Sequence, residues 1–203
     1  MSNTINDSNG IHVQGHIKIH DPESGKIYVN KRNAIHYENM SIALAESLIN
    51  AGQGFVYEMS FGNGGTNVDP TGIITYLTPN STGTNATLYN QTYSKIVDSR
   101  SVNNTDPARN FLETRHVSGT NYTDILVTCL LDYGEPEGQQ AFDTATNVDD
   151  QFVFDELGLR SFSSSGTGRL ITHVIFHPIQ KSLNRLIQID YTVRVQSLSG
   201  GNF

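Results

Sequence analysis

The chain has no tryptophan, one cysteine, six prolines and few charges, and each shortage closes off a class of protein. A lone thiol, Cys129, forms no intrachain disulfide and cannot build a cysteine-cluster zinc or iron–sulfur centre. Charged residues make up 16%, against about 25% in ordinary domains. The formal net charge is −7, and the 13 basic residues are scattered, with Lys31-Arg32 the only adjacent pair. That balance argues against a grip on nucleic-acid phosphates. No apolar run approaches the ~18 residues of a membrane-spanning helix, so no membrane partner is expected. Residues 1–10 lack the charged-then-apolar layout of a secretion signal. The sequons that begin at Asn39, Asn80, Asn85, Asn90 and Asn121 are therefore read as composition, not glycosylation.

Small polar residues fill the gap. Asn, Thr, Ser and Gly account for 74 of 203 positions, and such residues favour turns and strand surfaces over helix interiors. With glycine counted, the apolar share suffices for one real core. The expected organisation is a flexible N-terminal arm over residues 1–10, a single β-rich domain over 11–197 and a C-terminal tail over 198–203.

Local patterning favours strands. Ile11, Val13, Ile17 and Ile19 alternate with His12, Gln14, His16, Lys18 and His20, the period of a half-buried strand. Asp21-Pro22-Glu23-Ser24-Gly25 is turn chemistry, and residues 26–31 read as the returning strand. Met40, Leu44 and Leu48, flanked by Ile42, Ala45 and Ile49, predict one amphipathic helix over about 37–51, stopped by Gly52 and Gly54. Further strands are expected at 55–61, 73–77, 93–97 (an edge), 111–117, 122–131, from 152, at 170–176 and at 186–195. The nearly unbroken apolar run Ile125–Leu131 suggests a central position covered on both faces. Long polar loops fill 78–92, 98–110 and 134–150. The predicted fold class is mainly β, a β-sandwich or barrel-like core with one helix.

Gly62-Asn63-Gly64-Gly65-Thr66 lacks the lysine of a phosphate loop and the third glycine of a dinucleotide fingerprint, so it reads as a tight structural turn. His12, His16 and His20 share one strand face, as do His173 and His177. At ~3.3 Å per residue, positions four apart lie about 13 Å from each other, too far for one metal. They are expected to face solvent or an interface, and a metal shared between subunits is the sharper alternative. Glu135, Glu137, Asp143, Asp149, Asp150, Asp155 and Glu156 form an acidic stretch without calcium-loop spacing, read as a solvated loop. Nothing there selects a carboxylate pair for glycoside hydrolysis. There is no Gly-x-Ser-x-Gly elbow, and Cys129 inside an apolar strand reads as inert packing. No catalytic, cofactor-binding or metal-ligating residue is assigned, no cofactor is expected, and the chain is not expected to be an enzyme.

The order of segments carries more. Lys31-Arg32-Asn33-Ala34-Ile35-His36 precedes the helix, and Gly62-Asn63-Gly64-Gly65-Thr66 follows the next strand. Later come Phe154-Asp155-Glu156-Leu157-Gly158-Leu159, then Gly168-Arg169-Leu170-Ile171-Thr172-His173-Val174-Ile175-Phe176, and finally Lys181-Ser182-Leu183-Asn184-Arg185 before the last strand. Over residues 11–197 this resembles virion structural proteins of tailed bacteriophages, particularly contractile-tailed phages such as those infecting cyanobacteria. The resemblance implies a virion component assembled in the host cytoplasm, acting as a tail, baseplate or fibre-attachment adaptor. Its implied partners are other virion proteins and further copies of itself, a homo-oligomer without nucleic acid or membrane. A neck connector or capsid decoration protein is the alternative position. A carbohydrate-binding module and a cell-wall hydrolase are the alternatives of other classes. Glu156-Leu157-Gly158-Leu159 is expected to turn at a strand end, with Gly158 at an unusual φ.

Overall fold

The computed structural model describes residues 10–139, 152–164 and 168–198. The strands are β1 (Gly10–His20), β2 (Ile27–Ile35), β3 (Val56–Gly62), β4 (Thr66–Val68), β5 (Ile74–Tyr76), β6 (Gln91–Ile96), β7 (Phe111–His116), β8 (Tyr122–Leu131), β9 (Val153–Ser161), β10 (Thr172–Gln180) and β11 (Ile187–Leu198). The helix among the described residues, α1, spans Tyr37–Leu48. Nine strands form one antiparallel sheet in the order β6-β3-β9-β10-β2-β1-β11-β8-β7, curled into a half-barrel, and β4 and β5 form a separate hairpin. The mainly β, barrel-like fold class is therefore what the sequence led one to expect.

Alternation along each strand sets which face is buried. Val13, Ile17 and Ile19 of β1, Val127, Cys129 and Leu131 of β8, and Ile187, Ile189, Tyr191 and Val193 of β11 all turn into one core. Phe61, Phe154 and Leu157 continue that core across β3 and β9, where the rings of Phe61 and Phe154 sit 5.3 Å apart. The outer face of β1, β11 and β8 carries the polar alternates, including His16, Thr192 and Asp124. No helix among the described residues is long and apolar enough to cross a membrane.

Four expectations are corrected. The run Ile125–Leu131 is not central: β8 is next to last, because β7 alone continues the sheet beyond it. The apolar stripe on α1 is buried only at its start. Met40 and Ala43 enter the core, while Leu48 and Ile49 are 85% and 76% exposed. Glu156–Leu159 is not a turn but the middle of β9. Gly158 carries no positive φ; a Cβ there would lie 2.4 Å from the Thr172 carbonyl oxygen, so glycine is needed for close packing. Finally, Asp155 and Glu156 are not on a solvated loop, as described below. Asp143, Asp149 and Asp150, the arm up to residue 9 and the tail after residue 198 lie outside the described residues.

Candidate functional site

Three motifs far apart in sequence meet at one place. The Gly62–Thr66 segment leaves β3, Asp155 and Glu156 stand in β9, and His173 stands in β10, the strand beside it. Asp155, Glu156 and His173 are all fully buried. Period-two alternation breaks here, at a register irregularity with β10: Phe154 and Leu157, three apart, both reach the inner core, and Asp155 and Glu156 between them both bond the Gly62–Thr66 segment. Both faces of β9 are covered here, and all nine of its residues are buried.

Glu156 is saturated. Its Oε1 accepts the backbone N–H of Asn90 at 2.8 Å and of Gly64 at 3.1 Å. Its Oε2 accepts the N–H of Tyr89 at 3.0 Å and the His173 ring at 2.9 Å. Four donors fill the acceptor capacity of a carboxylate. Burial pushes its pKa up, but the bonds from His173, Asn90 and Tyr89 outweigh that and leave it below the ordinary value. The N–H of Asn80 donates to His173 Nδ1 at 2.8 Å, which places the ring proton on Nε2, facing Glu156. Asp155 holds the next two residues of the same segment. Its Oδ1 accepts the N–H of Gly65 at 2.9 Å, and its Oδ2 accepts both the N–H of Thr66 at 2.9 Å and the Thr66 hydroxyl. Desolvation dominates at Asp155 and raises its pKa despite these bonds.

The glycines make the approach possible. A Cβ at Gly64 would fall 2.7 Å from the Asn90 nitrogen. The cluster thus fastens the Gly62–Thr66 turn and the 80–90 loop to the sheet. Its chemistry is to hold backbone N–H groups in place, and none of its three ionisable side chains reaches solvent. His173 was expected at a surface or interface; it is a core residue, because Glu156 and Asn80 satisfy both ring nitrogens. Adjacent acidic residues after Phe154 were the available signal, since such a pair inside a predicted strand must be compensated if buried.

Other candidates disperse. His12 and His16 are exposed on the outer face of β1, and His20 sits 2.9 Å from Asp190. His177 is exposed and meets the Tyr76 hydroxyl at 3.2 Å. Glu135 pairs with Lys95, whose Nζ also donates to the Leu130 carbonyl at 2.7 Å. Cys129 is fully buried, and burial pushes its thiol up to about 12, far from the reactive range. Among the described residues no cluster of three or more His, Cys, Asp or Glu is arranged to hold a metal ion.

Sequence reasoning missed a second feature, an open apolar groove of about 440 Å³. Met40 and Leu44 of α1 form one wall, and Phe55, Leu112, Ile125 and Val193 contribute the rest. At its rim the Arg100 guanidinium bonds Asp98 at 2.9 Å and lies 5.4 Å from the centre of the Phe55 ring. Beyond the groove, Leu48 and Ile49 at the end of α1 stay exposed.

Comparison with known proteins finds no match: no family model fits the chain, and no curated protein or solved structure is significantly similar to it.

Proposed function

We propose that this protein is a structural component of a tailed-phage virion, an adaptor of the tail, baseplate or fibre attachment that works through protein–protein assembly. The observation that carries the reading is the convergence of the motifs on which the resemblance rests. The Gly62–Thr66 segment, Asp155-Glu156 and His173 form one buried polar cluster that fastens the glycine segment and the 80–90 loop to the sheet. A protein that spends its buried ionisable groups on loop shape is suited to presenting fixed surfaces to neighbours. The charge-poor, Asn/Ser/Thr-rich exterior favours the same use, because such surfaces form hydrogen bonds at interfaces without desolvating ions.

Antibody–gold labelling of intact and mildly disrupted phage particles tests the proposal by electron microscopy. Gold at the tail tip is the expected result. Gold at the neck or over the head moves the protein to a connector or decoration role. No gold on either preparation, with the protein also missing from particle-derived peptides, overturns the reading.

A further inference from the structure

The two ends of the sheet, β6 and β7, are defended differently. On β6 the side chain of Lys95 is buried and tied to the Leu130 carbonyl and to Glu135. On β7, Glu113, Thr114, Arg115 and His116 are all exposed. Edge strands are normally blunted by proline, lysine, bulges or a covering segment. β7 has no proline, lysine or bulge, and its register with β8 is regular from Phe111↔Thr128 to His116↔Thr123. Its charges are one acid and one base, two residues apart on the outer face, with side chains 51% and 68% exposed.

That spacing selects a partner. When a strand pairs antiparallel with its own copy, opposed residues must turn their backbone groups either both toward the partner or both away from it, so the pairing is centred on a residue. Centred on Glu113 it sets Glu113 against itself, and centred on Arg115 it sets Arg115 against itself. Like charges directly opposed are unfavourable. Centred on Thr114, Glu113 of each copy faces Arg115 of the other, twice. This register also continues an existing row. Arg194 forks onto Asp124 with bonds of 2.7 and 2.8 Å, and Asp124 lies opposite Arg115. The outer face thus reads plus, minus, plus from β11 to β7, and Glu113 of a second copy supplies the next minus.

We propose that β7 is a docking edge at which two copies of this chain pair antiparallel about Thr114, joining their sheets. The proposal rests on the self-assembly part of the function reading, not on a position in a particle. A six-residue edge is shorter than the contact of a stable dimer, which buries about 1,200–2,000 Å². Pairing is accordingly weak for free chains and strengthens where an assembly holds the copies together. The exposed contact between Arg115 and Glu113 on the same strand, at 3.7 Å, is easily exchanged for the cross-copy pairs.

Sedimentation velocity of the full chain over a wide concentration range tests this. Wild type is expected to dimerise reversibly. Glu113→Arg and Arg115→Glu are each expected to weaken the dimer about tenfold or more. An equimolar mixture of the two variants is expected to recover it, because an all-basic edge then meets an all-acidic one. The doubly swapped E113R/R115E chain restores both cross-copy pairs but sets a carboxylate opposite Asp124 within each chain, so it is expected to recover the dimer in larger part than either single variant while folding somewhat less stably, and it decides the matter if a single variant fails to fold by circular dichroism. A monomeric wild type, a dimer indifferent to the single swaps, or no recovery in the mixture and the double swap overturns the proposal. A monomeric wild type leaves the virion reading standing, whereas particles without gold label remove that reading and leave the dimer intact.

Discussion

The two flanks of the half-barrel use opposite physics. On the β3–β9–β10 side, three ionisable residues are fully buried, and their partners come from a glycine turn and the 80–90 loop. On the β7–β8 side, apolar residues of the inner face border an open groove, and the end of α1 projects Leu48 and Ile49 into solvent. The first flank takes charged groups out of water, which costs several kcal/mol per ion before compensation. That outlay gives little net stability, but it defines one loop conformation, since a shifted loop leaves buried carboxylates bare. The second flank leaves apolar surface uncovered where burial would have contributed roughly 25 cal/mol per Å². One molecule thus combines a fixed loop shape with an uncovered apolar surface.

The sharpest way to break the contrast is Glu156→Gln. Shape is kept, but the charge is lost and an amide N–H₂ now faces backbone or ring N–H donors. Each buried donor left without an acceptor costs about 1–3 kcal/mol, so a loss of about 3 kcal/mol is expected in thermal or denaturant unfolding. The pH profile carries the same signature. The pKa of Glu156 is lowered from its ordinary value of 4.5, so its contribution is complete above that pH and is lost as pH falls through the depressed folded value. The raised pKa of Asp155 opposes part of this loss. Wild type should therefore lose stability below about pH 4.5, and the variant should lose it less steeply. A variant as stable as wild type would mean that the 80–90 loop is held by other contacts.

Gly158→Ala ranks next. The added Cβ would lie 2.4 Å from the Thr172 carbonyl oxygen and 2.5 Å from Leu170 Cδ1. One contact is backbone, so β9 and β10 must shift apart. The expected cost is about 2 kcal/mol by calorimetry, in the range of overpacked cores. A neutral result would show that these two strands adjust freely and that the close approach is incidental.

How much of this was legible in the sequence depends on the period of the signal. Strands with clean alternation, such as β1 and β11, stood out at nearly their observed bounds, because one face meets the core and the other meets water. β9 defeated the same reasoning. It is covered on both faces, so its side chains carry no alternation, and its adjacent acids looked like a loop. The cluster itself was hidden because its carboxylates bond backbone N–H groups, which any residue supplies. Asn80, Tyr89 and Asn90 left no trace of the role. The glycine turn reads as structural in the sequence, but its need for close approach depends on a separate, later loop, at Asn90. The groove was hidden for a related reason. Helical spacing shows which face of α1 is apolar but not how far along its length the sheet stays in contact.

The smallest expected effect tests that last point. Leu48 ends α1 at 85% exposure, and the last turn contains no basic residue. Leu48→Lys removes apolar surface that buries almost nothing in the free chain. It also places a cation beside the carbonyl end of the helix dipole, where such charges contribute about 0.3–1 kcal/mol. Stability should therefore stay within about 0.5 kcal/mol of wild type, or rise slightly. A loss above about 1 kcal/mol at low protein concentration would mean that the helix end is packed within the single chain in solution and the groove is closed. A loss that appears only at high concentration would place Leu48 in a contact between copies. A melting temperature unchanged or slightly raised, and the same at every concentration, leaves this flank as the open counterpart of the saturated cluster across the sheet.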